Sequence, residues 1–313
     1  MKKVLRFVTL AAAMLMLACP LRAGFPLHRL GGVDPVVYYG ASQALEKGSD
    51  SRMAVIYIHG WGGGTATGEN PCNLQNALGD AIVIAPQFPR RMVMESKGVT
   101  EDGRAVWNDS WSKDLTKPGV PDDDWRGGGD ANGTTLSSYD VIDAILAKLS
   151  DKKLFPKMKR VVLAGFSAGG QFVGRYVAVG KGEVRKGIRM VYVAMSPSTD
   201  LLPDDDVVWH YGFKGRPRYS RSLSREQIMA NLHSRFCLHG CGDKDVLDKS
   251  LDMTPAAMMQ GRNRYLRYLH FQEVVNADPK WKKKVTFYTF EGLGHDSAKA
   301  YATPFLLRYM KKK

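Results

Sequence analysis

The sequence predicts an α/β fold: a mostly parallel central sheet with helices on both faces. Two observations carry this. Short apolar runs alternate with segments of helical period along most of the chain. Several of those runs also end in glycine-rich turns that hold polar residues, as strands do where a sheet is buried on both faces and its carboxyl edge carries the chemistry.

Taken in order, residues 36–39 and 53–58 read as strands, with so little chain before them that the leading strands should be shortened or absent. Residues 81–85 form the next strand, closed by Pro86. In residues 136–149, Leu136, Tyr139, Ile142, Ile145, Leu146 and Leu149 recur at helical spacing. The apolar run that starts at Val161 is a strand, residues 171–179 a helix and 190–195 a strand. After an irregular excursion come a strand at 236–238, a long helix near 256–276 and a last strand at 285–290.

The strand at Val161 ends in Gly165-Phe166-Ser167-Ala168-Gly169. Gly-x-Ser-x-Gly between a buried strand and a helix is the pattern of a nucleophile elbow, where the turn is so tight that only glycines fit beside the serine. The serine oxygen then stands clear of the sheet, and the following helix aims backbone N–H groups at developing negative charge. Three other strand ends carry related sites: His59-Gly60-Trp61-Gly62-Gly63-Gly64, His239-Gly240-Cys241-Gly242-Asp243-Lys244-Asp245, and Glu291-Gly292-Leu293-Gly294-His295.

With Ser, Asp and His in that chain order, the sequence resembles the α/β-hydrolases over roughly residues 53–310. The resemblance implies Ser167 as nucleophile and His295 as base. It implies Trp61 and Ala168 as the backbone donors of an oxyanion hole. The acid fits two registers, Asp243 or Asp245. Asp245 is favoured because Val246-Leu247 after it resembles the apolar pair that usually follows the acid. No cofactor or metal is expected, since Gly60 to Gly64 follows a strand without forming a dinucleotide fingerprint and no paired Cys-x-x-Cys is present.

Residues 1–23 combine a basic start, an apolar run from Phe7 to Leu17 and a small residue at Ala23, the pattern of a secretory signal. A secreted or periplasmic protein is expected, with one catalytic domain over residues 24–313. Lipid attachment at Cys19 is an alternative, because Met16-Leu17-Ala18-Cys19 loosely matches a lipobox. After cleavage, Cys72, Cys237 and Cys241 would remain. One disulfide and one thiol is the simplest arithmetic, and a Cys72–Cys241 bridge is one pairing open to the chain.

The formal net charge is +14, and loss of Lys2, Lys3, Arg6 and Arg22 brings it to about +10. The densest runs, Lys282 to Lys284 and Lys311 to Lys313, read as solvated ends, so no nucleic-acid partner is expected. No segment after residue 23 is long enough to span a membrane. The repeated Pro-Asp-Asp-Asp at 121–124 and 203–206 lacks the alternate spacing of a calcium loop and reads as solvated turns.

Two excursions are expected to shape the substrate site. Residues 88–135 hold Arg90, Arg91, Trp107, Trp111 and Trp125, and residues 196–230 hold Trp209, Tyr211, Arg216, Arg218 and Tyr219. Aromatics beside arginines can cover an acyl group or stack on sugar rings, and they can equally pack a long loop. The expected activity is hydrolysis of a small or glycan-linked carboxylic ester through an acyl-enzyme. The alternatives are a peptidase or amidase on the same residues, or a non-catalytic binding protein on the scaffold. The sequence leaves the oligomeric state open.

Overall fold

A computed structural model describes residues 24–65, 67–109, 124–247 and 249–312. The proposed signal, Cys19, Trp111 and Pro121 to Asp123 lie outside the described residues. The elements are β1 (Leu27–Arg29), β2 (Tyr38–Gly40), β3 (Met53–Ile58), α1 (Glu69–Leu78), β4 (Ile82–Pro86), α2 (Arg91–Ser96), α3 (Ser138–Ser150), β5 (Arg160–Phe166) and α4 (Ala168–Val179). Then follow β6 (Arg189–Met195), α5 (Arg225–Ser234), β7 (Cys237–Gly242), α6 (Pro255–Gln260), α7 (Arg264–Ala277), α8 (Pro279–Lys282), β8 (Val285–Phe290), α9 (Ser297–Ala302) and α10 (Pro304–Lys311).

The eight strands form one sheet in the order β1-β2-β4-β3-β5-β6-β7-β8. From β4 to β8 all neighbours run parallel, while β1 and β2 form a short antiparallel edge. The leading strands are thus present but only three residues long. After β4 the chain crosses back over β3 to lay down β5. The crevice at the carboxyl ends of β3 and β5 is therefore the topological switch point, where ligands bind in open α/β sheets.

Successive side chains of a strand face opposite sides, and the core divides accordingly. Ala54, Ile56, Ile58, Val161 and Leu163 pack with α3 and α4 on one face. Val55, Tyr57, Val162 and Ala164 pack with residues of α1, α9 and α10 on the other. Covered on both sides, β5 buries all its residues, which is why it reads as an unbroken apolar run.

Two expectations are corrected. The long helix near 256–276 is two helices, because Gly261 takes φ 141° and Asn263 caps α7 by accepting from the Leu266 N–H. Cys241 lies inside β7 as a free buried thiol, as does Cys237, while Cys72 is disulfide-bonded. A Cys72–Cys241 bridge is therefore absent. At the second aspartate run, Asp204 Oδ1 accepts from the Asp206 and Val207 N–H groups, which makes it a local turn. Among the described residues no helix is long and apolar enough to cross a membrane.

Candidate active site

Ser167 sits between β5 and α4 with φ 58° and ψ −118°, a conformation that costs a non-glycine residue about 1–3 kcal/mol. Its N–H donates to the Met195 carbonyl of β6 at 2.9 Å, which helps to hold the turn in place. The flanking glycines have a steric cause. A Cβ on Gly165 would meet the Gly169 carbonyl, and one on Gly169 would meet the Ile58 carbonyl at the end of β3. The strand and helix approach too closely for any side chain there.

His295 follows β8 and Asp245 follows β7, so neighbouring strands deliver both to the elbow. His295 Nε2 is 2.9 Å from Ser167 Oγ, and its Nδ1 is 2.7 Å from Asp245 Oδ2. With the proton on Nδ1, the imidazole donates to the carboxylate and accepts from the serine hydroxyl. Of the two aspartates, Asp245 is the one that meets His295. Asp243 instead accepts from the Gly292 N–H at 2.7 Å and ties the β7 turn to the β8 turn. The Asp245 side chain is fully buried, and its other oxygen faces the buried Arg264 guanidinium at 3.5 Å.

Trp61 and Ala168 line one cavity of about 310 Å³ together with Ser167. Trp61 lies between two guanidinium groups, Arg90 at 3.4 Å and Arg126 at 4.1 Å from the ring centre. Arg90 also donates to the Trp61 carbonyl at 2.9 Å, so both the ring and the backbone of this residue are fixed. His59 holds the start of the turn. Its Nε2 accepts from the Phe88 N–H and its Nδ1 donates to the Gly60 carbonyl, which makes it a neutral pin. Burial pushes its pKa down to about 4, against the Gly60 bond and with Arg90 adding to the fall.

The rest of the cavity wall comes from Arg126, Gln171, Ser198, Ser250, Leu251 and Asp252. The sequence reading missed these residues, because they converge from separate segments and belong to no local motif. Arg126 is paired with the buried Asp124 and donates to Gln171 Oε1 at 3.2 Å. Gln171 in turn donates to Thr199 Oγ1 at 2.9 Å. A second cavity, about 400 Å³, is lined by His59, Gly60, Gly62 and Gly63 of this turn together with Glu69, Asn70 and Lys97.

The excursions do less at the site than expected. Trp107, Trp125, Trp209 and Tyr219 are core residues, exposed by no more than 1 %. Arg216 and Arg218 tie loops through carbonyls and through Asp130 and Asp140, and Arg91 is paired with Glu101 at the surface. Tyr211 bonds Asp252 and Thr254. Among the described residues these aromatics and arginines pack and fasten the loops, with Arg90 supporting the site from behind Trp61 and Arg126 of the same excursion lining the cavity.

One further ionisable pair is buried away from Ser167. His239 Nε2 lies 3.4 Å from Asp200 Oδ1 under α7. Burial pushes Asp200 up to about 7, with Arg175 and Arg267 opposing, and pushes His239 down to about 3. Geometry alone would allow an ion pair here, but with both charged forms penalised by desolvation the two are neutral between about pH 3 and pH 7.

No family model matches the sequence, and no curated protein matches it. Solved structures do. A poly(3-hydroxybutyrate) depolymerase from Bordetella parapertussis superposes with a TM-score of 0.62 at 18% identity, covering 93% of this chain and 91% of the other. Poly(aspartic acid) hydrolase-1 from Sphingomonas sp. KT-1 gives 0.58 at 20% identity, covering 90% of this chain and 98% of the other. The sheet order, the elbow after β5 and these superpositions together identify the chain as having the α/β-hydrolase fold.

Proposed function

We propose that the protein is a serine hydrolase of carboxylic esters. The observation that carries this is the continuous hydrogen-bonded series Ser167 Oγ, His295 Nε2, His295 Nδ1, Asp245 Oδ2, with links of 2.9 and 2.7 Å. Ser167 Oγ attacks the ester carbonyl carbon as its proton passes to His295 Nε2. The carbonyl π electrons move onto oxygen, where the Trp61 and Ala168 N–H groups stabilise the oxyanion. Collapse breaks the bond to the alcohol, which leaves with the proton from His295, and an acyl-enzyme remains on Ser167. A water then gives its proton to His295 and releases the carboxylic acid by the reverse sequence. Asp245 holds the imidazole in its Nδ1–H tautomer throughout and stabilises the imidazolium without taking the proton.

A neighbour that depolymerises a polyester, poly(3-hydroxybutyrate), is in keeping with this reading, while the poly(aspartic acid) hydrolase acts on a polyamide and is in keeping with amide cleavage on the same residues. We further infer an exported enzyme from the basic start and apolar run of residues 1–23. A fluorophosphonate probe tests the nucleophile without knowledge of the natural substrate. Wild type should be labelled on Ser167 with loss of fluoride, and folded Ser167→Ala should be neither labelled nor active on p-nitrophenyl butyrate. Near wild-type turnover in that variant rejects the assignment.

A further inference from the structure

The turn that carries Trp61 holds two glycines that the fold itself does not require. Gly165 and Gly169 are forced by backbone contacts, but Gly60 and Gly62 are not. Their φ lies outside the left-handed region, and a Cβ on either would meet no atom within 4 Å. Both line the cavity of about 400 Å³. A glycine of this kind leaves room for a ligand to come close to the backbone.

This cavity and the one at Ser167 belong to different faces of the sheet. Trp61 and Ala168, which line the Ser167 cavity, pack with the face that α3 and α4 cover. Tyr57, which lines the second cavity, packs with the face of α1, α9 and α10. Phe166 is on that face too, and the His295 ring packs on it with centroids 4.8 Å apart. Asn70, from the wall of the second cavity, donates to Ser297 Oγ at 2.9 Å, two residues after His295. An ester has two arms at its carbonyl carbon. The acyl arm stays on Ser167 after the first step, while the alcohol arm takes its proton from His295 and leaves on that side.

We propose that the second cavity is the alcohol subsite and that it selects a leaving alcohol with further hydroxyl groups, a polyol or a sugar; the proposal rests on the reading of Ser167 as an ester-cleaving nucleophile. Among the described residues the wall of this cavity holds no Leu, Ile, Val, Met or Phe, so an alkyl chain finds little apolar surface there. It offers instead the Glu69 carboxylate as acceptor and the Lys97 ammonium as donor, and among the described residues neither side chain makes an ion pair or a hydrogen bond. A hydroxyl group both donates and accepts, so a polyol can use both, whereas a charged alcohol would meet one like charge. In acylation the bond from the acyl carbon to the alcohol oxygen breaks. That oxygen takes the proton from His295 Nε2, and the polyol departs neutral with nothing else consumed.

The test compares glycerol 1-butyrate with propyl butyrate. They share the acyl group, so a difference in kcat/KM arises on the alcohol side. Their ratio is read, and the intrinsic reactivities of the two esters then cancel between wild type and variant. Wild type should favour the glycerol ester by about tenfold beyond the ratio found in alkaline hydrolysis. Glu69→Ala with Lys97→Met, both at exposed positions, should bring the ratio down by about the same factor, chiefly through KM. Lys97→Met alone is the variant to use should the pair fail to fold. Gly62→Ala keeps both charges and adds one methyl group; it should slow glucose 6-butyrate more than methyl butyrate. An unmoved ratio in a folded double variant overturns the proposal. So does a change that follows the acyl group, read with hexanoate against butyrate at fixed glycerol, because the cavity then holds the acyl arm. A protein that cleaves none of these esters and takes no fluorophosphonate fails earlier, at the nucleophile, and the subsite falls with it.

Discussion

Replacing Asp245 by asparagine probes the geometry of the site more sharply than removing Ser167. Asparagine keeps the shape of the side chain but must choose which way its amide points. Arg264 Nη1, 3.5 Å from the present Oδ1, attracts the amide oxygen to that side. The NH₂ group is then left facing His295 Nδ1, where the carboxylate now stands at 2.7 Å. Two donors cannot face each other, so the imidazole moves its proton to Nε2, the nitrogen 2.9 Å from Ser167 Oγ. A protonated Nε2 cannot accept the serine proton. Asp245→Asn should therefore lower kcat by about 10⁴, or about 5 kcal/mol of transition-state stabilisation, with KM little changed. Stability should fall by about 1–3 kcal/mol, because Arg264 loses its counter-charge but keeps its bonds to the carbonyls of Leu247, Lys249 and Ser250. The assay is kcat on p-nitrophenyl butyrate with urea unfolding in parallel, beside Asp243→Asn as the control. Asp243 accepts from the Gly292 N–H and pairs with the exposed Lys244, so its loss should cost less than about tenfold in rate. A large loss in Asp243→Asn with a mild one in Asp245→Asn would refute the reasoning.

Two further outcomes follow from other contacts. Arg90→Ala frees the Trp61 carbonyl and one face of its ring; kcat should fall by about ten- to a hundredfold through a misplaced oxyanion donor while KM holds, as steady-state kinetics would show. Asp200 carries a pKa raised by burial, so the fold binds its proton more tightly than the unfolded chain does, and this contribution is fully present below about pH 4 and lost as pH rises through about 7. Urea unfolding between pH 5 and 7 should show wild type losing stability relative to Asp200→Asn by up to about 1.4 kcal/mol per pH unit, and parallel curves would contradict it.

Much of the site was legible because its parts obey local rules. Gly165 and Gly169 are written into the sequence by backbone contacts that exclude a Cβ, and the histidine after β8 sits in a turn of the same kind. Asp245 was favoured over Asp243 on the apolar pair that follows it, and the structure brings Asp245 to His295. That same pair, Val246 and Leu247, turns out to lie on the surface. Burial is a property of the assembled chain, which is why Trp107, Trp125 and Trp209 read as site candidates and proved to be core. The break between α6 and α7 was readable in principle from Gly261 and the capping Asn263. The apolar and aromatic spacing across it masked that signal. The cavity wall was not readable, since Arg126, Gln171 and Asp252 meet only in space.

Buried arginines also bear on how the site edge of the molecule breathes. Arg175 binds the carbonyls of Thr199 and His210 from α4, while Arg264 and Arg267 bind the stretch from Leu247 to Gly261 from α7. Loops of this length usually open on their own, well below the free energy of global unfolding. Here an opening loop would strand a guanidinium inside the protein with its donors unmet. In hydrogen exchange, the amides near Thr199 and Asp252 should therefore be protected alongside the sheet, opening with the core and not ahead of it.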